Sequence, residues 1–190
     1  MNSIIEFLNQ PIILTLISLV VGSFLLSFIA EQRSRNDRLK NKAIEFLTEV
    51  GSNINTFIAT IYGQLRVGKI QMTQEIADGM KVLASTNLSV QVSSQAYLKS
   101  EEFYQNYSRI VTEYGKVIFC IQGLQNNMNE DETIKKVIEY HQQLKASWPL
   151  ADEIQPDSSG KLVDEFLLWM DMITARATNL ITTNLKNVMR

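Results

Sequence analysis

The stretch Pro11–Ala30, PIILTLISLVVGSFLLSFIA, contains no charged residue. As a helix rising about 1.5 Å per residue it reaches about 30 Å, the thickness of a bilayer's hydrocarbon core. A buried core helix of a soluble protein is the competing reading, but such helices seldom run this far without a charge. A cleaved signal peptide is a second alternative. It needs a basic start, a shorter apolar run and a small-x-small cleavage site. Here Glu6 and no Lys or Arg precedes the run, and Phe28 occupies the place before Ile29-Ala30. Pro11 stands where a helix can begin, because its missing N–H would be unsatisfied there anyway. The pattern predicts an uncleaved single membrane-spanning helix over 11–30, after a short non-cytoplasmic segment over 1–10.

The flanks set the direction. Residues 31–42, EQRSRNDRLKNK, carry Arg33, Arg35, Arg38, Lys40 and Lys42 against Glu31 and Asp37. Basic residues are retained on the cytoplasmic side of a membrane. The expected placement is a bacterial inner-membrane type, with the amino terminus outside and the carboxyl-terminal part in the cytoplasm. The same basic side chains can meet anionic lipid headgroups at about 1 kcal/mol each, so the bilayer is the first expected partner. On that placement the Asn-x-Ser sequons at Asn87 and Asn106 are accidental. Within the span, Thr15, Ser18 and Gly22 share a helix face. Ser18-x-x-x-Gly22 is a small-xxx-small pair that lets helices approach closely in lipid.

Beyond the basic segment, no Pro occurs until Pro149, which favours long helices. Ala43, Leu47, Val50, Ile54, Phe57 and Ile61 step by four and three, an apolar seam that Ile44, Ile58 and Leu65 widen. No breaker separates this seam from the apolar span, so one continuous helix is expected to about residue 66. A short helix over 73–84 follows, then a polar stretch, 85–95, read as a loop or short extended piece. Phe103, Tyr107, Ile110, Tyr114, Val117, Ile121 and Leu124 mark a third helix, over about 96–125. Asn129 caps a fourth, with Ile134, Val137, His141, Leu144 and Trp148 on one face. Residues 149–160 read as a linker. Leu162, Phe166, Trp169, Ile173, Ala177 and Leu180 line a fifth helix. The fold class expected is all-α: a membrane helix continuous with the first helix of a cytoplasmic antiparallel bundle over 43–190.

Catalytic and metal chemistry find little support. One Cys and one His cannot supply a disulfide framework or a common zinc or di-iron ligand set. His141 sits on an apolar helix face and reads as a packed histidine before it reads as a proton switch. Cys120 beside the third seam reads as a buried thiol; a Cys120–His141 dyad would need the two helices to bring them together. Asp171, next to the fifth seam, is the remaining carboxylate of interest. No glycine-rich phosphate loop occurs. A net charge of -2 and sparse basic residues among the aromatics argue against nucleic acid.

These readings converge on a non-catalytic, membrane-anchored scaffold, with no cofactor, no metal and no small-molecule substrate. The expected partner is a protein: a second copy, or a larger membrane complex of which this chain is an accessory subunit. Ile44, Ile58 and Tyr104 are the expected contact residues, because they flank the seams. The alternative function is a sensor or effector whose bundle transmits a signal to, or perturbs, the membrane.

Overall fold

The computed structural model describes all residues except 1–10, Lys69 and 151–158, and for 11–22 it describes the backbone alone. The chain divides into two compact units, residues 1–42 and 43–190. Every described element is helical: α1 (Pro11–Arg66), α2 (Gln74–Ser85), α3 (Asn87–Ser93), a π-helical turn (Ser94–Leu98), α4 (Glu101–Gln125), α5 (Glu130–Ser147) and α6 (Leu162–Met189).

In the first unit the described side chains start at residue 23. Among the described residues no helix is long and apolar enough to cross a membrane. From Phe24 to Ile29 the helix nevertheless carries large apolar side chains that stand 47–78% exposed among the described residues.

Local chemistry sets the helix starts in the second unit. The Thr73 hydroxyl accepts the Ile76 N–H, Ser100 accepts the Phe103 N–H, and Asn129 accepts the Asp131 N–H. Each satisfies a donor that the first helical turn leaves open. Glu101, Glu102 and Glu130–Glu132 add negative charge where the helix dipole is positive. α1 ends where Gly68 turns to a positive φ of 69°, a conformation that costs glycine little.

The stretch 85–95 corrects the sequence reading: it is helical, as α3 and the start of the π turn. Its buried positions are Val90 and Ser94, which continue the face of Leu83. A serine holds a core position there, so hydrophobicity alone hides the helical period. The chain then reaches Lys99, whose left-handed φ of 52° breaks the helix before Ser100 caps α4.

The bundle is not simply antiparallel. Phe46 packs on Phe103 with ring centroids 5.6 Å apart, and Phe57 meets Tyr114 edge-on at 5.1 Å. Both pairs have the same sequence separation, so α1 and α4 run parallel. α2 returns between them: Gln64 bonds Thr73, and the Tyr107 hydroxyl donates to the Leu83 carbonyl. α5 runs back along α4, with the Lys116 ammonium 5.2 Å from the Tyr140 ring centroid. α6 runs parallel to α5, shown by Tyr140 against Trp169 and by Trp148 against Arg176. A short loop would have forced α6 antiparallel. Residues 149–161 reach up to about 43 Å when extended, ample to recross an 18-residue helix of about 27 Å.

The core is continuous. Leu47, Ile54, Phe57, Ile61, Tyr107, Tyr114, Val117, Val137, Phe166 and Trp169 are all buried. α6 completes the bundle and buries Leu162, Phe166, Trp169, Ile173 and Leu180. Ile58 also lies in this core, 7% exposed, which corrects its expected role as a contact for another chain. Its neighbour Phe57 carries it inward, because the buried stripe of α1 is wider than a strict two-position seam. Ile44 and Tyr104 are half-buried.

Gly79 of α2 is a close-approach glycine. A Cβ there would lie 2.7 Å from Cδ2 of Phe57, a ring already fixed against Tyr114. Gly63, in α1, has nothing within 4 Å. The pair separates packing from propensity. Gly63→Ala is expected to stabilise by about 0.5–1 kcal/mol through helix propensity. Gly79→Ala is expected to destabilise by about 1 kcal/mol, since overpacking outweighs the same propensity gain. Chemical denaturation of both variants checks this.

Candidate functional site

In the first unit, Arg33, Arg35, Arg38 and Lys42 are exposed and Lys40 is partly exposed. Successive helical residues are about 100° apart. Arg33 and Lys40 therefore share one side, and Arg35, Arg38 and Lys42 the opposite side. The apolar residues before them are likewise distributed: Phe24 and Phe28 on one side, Leu26 and Ile29 on the other. Leu25 fills the space between these two sides, Ser23, Ser27 and Ala30 occupy the remaining arc, and charge begins only at Glu31. The side chains of Thr15, Ser18 and Gly22 lie outside the described residues.

In the second unit the Cys120–His141 dyad dissolves on register. Cys120 feels Lys136 across the α4–α5 hairpin, and Lys116 lies against Tyr140. That register puts His141 level with residue 115, about 7.5 Å along the axis from Cys120. The thiol is buried, and burial pushes its pKa up to about 11 against the smaller pull of Lys136. A thiol so protonated is a poor nucleophile. Burial pushes the His141 pKa down; Glu165 opposes the shift and Lys145 adds to it. Its Nδ1 has no hydrogen-bond partner.

Asp171 is exposed and accepts a hydrogen bond from the Tyr62 hydroxyl, which ties α6 to α1. Burial first, and then this carboxylate, raise the Tyr62 pKa well above the usual phenol range. Tyr114 is buried and its pKa is raised for the same first reason. Both phenols stay protonated at neutral pH, so Tyr62 serves as a donor and Tyr114 as a packing group, and neither as a base. Among the described residues no group of three or more His, Cys, Asp or Glu is placed to hold a metal ion.

The one site with unusual chemistry escaped the sequence reading. A cavity of about 290 Å³ opens between the start of α4, the end of α5 and the second half of α6. The π turn and left-handed Lys99 lead directly into its α4 wall, Ser100, Glu102, Phe103 and Asn106. Trp148 closes one side. α6 supplies Arg176, Asn179, Thr183, Asn184 and Asn187. Arg176 is 1% exposed. Its Nε donates to the Trp148 carbonyl and an Nη1 to the Met172 carbonyl, both at 2.8 Å. The guanidinium carbon stands 5.9 Å from the Trp148 ring centroid. The available signal was on α6: Asn179, Thr183, Asn184 and Asn187 recur at helical spacing on one side, beside the apolar Ile181, Leu185 and Val188 that pack against the core.

The chain matches no protein-family model, no curated protein and no solved structure.

Two outcomes follow from the titrating groups. The neutral form of His141 is favoured in the fold, so the unfolded chain takes up its proton first as pH falls through about 6.5. That contribution to stability is fully present above this pH and is lost below it. His141→Gln should therefore lose less stability than the parent between about pH 7.5 and pH 5.5, read as urea midpoints. Cys120 should react with a thiol reagent at the rate of unfolding and not of diffusion, and denaturant should accelerate the labelling by at least about a hundredfold.

Proposed function

We propose that the chain is a membrane-anchored, non-catalytic helical interaction protein. Pro11–Ala30 crosses the bilayer, and the bundle of residues 43–190 lies in the cytoplasm and binds a protein partner or a second copy of itself. The observation that carries this reading is the uncovered apolar surface of α1 from Phe24 to Ile29, which spans more than half of the helix circumference and meets no charged side chain on any side before Glu31. Each such side chain costs about 1.5–3 kcal/mol to leave in water. Lipid removes that cost on every side at once. An interfacial helix would instead divide its apolar and basic residues between two faces. The basic residues from Arg33 to Lys42 occupy two opposite sides of the helix, as a helix near the bilayer normal can present them to headgroups.

Binding rather than catalysis is favoured by the residues left for the second unit to use. Its thiol is buried and protonated, and the phenols of Tyr62 and Tyr114 are held protonated. Its surface keeps large apolar side chains, Val82, Leu88, Val92 and Phe119, that are 46–70% exposed. Exposed apolar surface of this kind suits contact with another chain.

Membrane fractionation and topology mapping test the anchor. The full chain should remain in the pellet after alkaline carbonate, and external protease should spare the carboxyl-terminal domain. Replacing Arg33, Arg35, Arg38, Lys40 and Lys42 with Gln should invert a measurable share of chains. Release by carbonate, or a domain exposed outside, contradicts the proposal. For the partner, a photo-crosslinking residue at Leu88 or Phe119 should give a discrete higher-mass adduct in cells; its absence at both positions counts against the binding role.

A further inference from the structure

The cavity at the end of the bundle belongs to the second unit and plays no part in the anchoring just described. Its buried arginine is a positioning residue and not a ligand group. Arg176 is bonded to the Trp148 and Met172 carbonyls, and its guanidinium lies against the Trp148 indole. It thereby holds a half-buried aromatic ring at the cavity wall. Glu102 stands exposed at the rim, where solvent screens its charge. The rest of the polar lining is neutral: the carboxamides of Asn106, Asn179, Asn184 and Asn187, and the hydroxyls of Ser100 and Thr183.

The hydrogen bonds these groups already make fix what they have left to offer. Asn184 Nδ2 donates to the Leu180 carbonyl at 2.8 Å, which sets the amide and leaves its Oδ1 as an acceptor. Asn179 Oδ1 accepts the Thr183 hydroxyl at 3.3 Å, which leaves its Nδ2 as a donor. Ser100 Oγ accepts the Phe103 N–H at 3.1 Å and keeps its own proton to donate. Residues 179 and 184 lie about 140° apart around the helix. The α6 wall therefore presents a donor at one edge and an acceptor at the other, with Ser100 a second donor on the α4 wall.

That pattern selects a ligand by exclusion. An apolar molecule would strip water from the amides and replace none of their hydrogen bonds, at about 1–3 kcal/mol for each group left unpaired. An anion would find no Lys among the described lining residues, no Arg but the one already bonded to carbonyls, and the Glu102 carboxylate at the rim. A cation would meet a single water-screened carboxylate and a buried guanidinium. A molecule with several hydroxyls meets every requirement, because each hydroxyl both donates and accepts. The C–H face of a saturated ring then covers the Trp148 indole.

We propose that this cavity binds a neutral polyhydroxyl ring of the size of a monosaccharide. One hydroxyl accepts from Asn179, another donates to Asn184, and the ring lies on Trp148. The volume of about 290 Å³, near the low end for ligand pockets, suits a single ring. The site goes beyond the anchoring role: it gives the bundle something to sense.

The test uses the full chain in lipid nanodiscs, with no glycoside detergent present. The probes are the methyl glycosides of glucose, galactose, mannose and N-acetylglucosamine, together with myo-inositol. Tetrahydropyran supplies the ring without hydroxyls, and glucuronate supplies the charged counterpart. Saturation-transfer NMR and calorimetry report binding. The expected result is that at least one neutral probe binds below about 20 mM and at least about tenfold more tightly than either control. Asn179→Ala removes a donor from an exposed position, where folding does not depend on it, and should weaken that binding by at least about tenfold. Asn106→Leu fills the cavity from a half-buried position and should abolish it. Circular dichroism should stay unchanged in both variants. Three results overturn the proposal: no neutral probe bound by about 20 mM, a preference below about tenfold over either control, or binding that survives either substitution.

Discussion

The surroundings of Phe24, Leu25, Leu26, Phe28 and Ile29 constrain everything else. These side chains span more than half of the circumference of one helix, and they stand exposed among the described residues. The hydrophobic effect is indifferent to direction, so such a surface needs a medium or a partner on every side. On the proposed reading lipid supplies that, and the basic residues that follow would stand at the headgroup level. The second unit meets the same demand internally. Its seams close on each other through Phe46, Phe57, Tyr114, Phe166 and Trp169, and it needs no outside cover for its core.

The bundle's topology follows from connection lengths. Turns at residues 67–73 and 126–129 are short, so α2 folds back along α1 and α5 folds back along α4. The segment 149–161 is long enough to recross the bundle, and α6 accordingly runs in the direction of α5. This arrangement gathers three chain segments, the start of α4, the end of α5 and the second half of α6, at one end of the bundle. There α6 turns the amide- and hydroxyl-bearing side of its last turns, Asn179, Thr183, Asn184 and Asn187, to the cavity, while Ile181, Leu185 and Val188 pack against the core. A core of Leu and Ile would have closed that space.

The sequence displays the long helices clearly, since the steps from Ala43 to Ile61 and from Phe103 to Leu124 are regular. It hides α3, because Ser94 occupies a core position and breaks the hydrophobic period. It misleads on direction, because periodicity carries no information about which way a helix points. Ile58 shows a related limit: a residue beside a seam is inside or outside according to how wide the buried stripe becomes, and that depends on the partner helices. The cavity was the least legible feature. Arg176 looks like a solvated surface charge when read by composition, and only the packing of Trp148 against it shows that it is buried. The chemistry of Cys120 and His141, by contrast, was bounded by residue counts alone, and the hairpin register completes the exclusion of a dyad.

The central claim is that lipid surrounds α1 up to Ala30. It is tested most directly by spin labels placed singly along residues 12–42, in a background where Cys120 is replaced by Ala and the protein is reconstituted into bilayers. Accessibility to dissolved oxygen and to a water-soluble nickel chelate is then read residue by residue. The account predicts high oxygen and low nickel accessibility through Ala30 with no helical periodicity, and a reversal within about one turn, at Glu31–Ser34. A clear 3.6-residue oscillation, or nickel access at Leu25 and Phe28, would place that helix on a surface or in water and contradict the account.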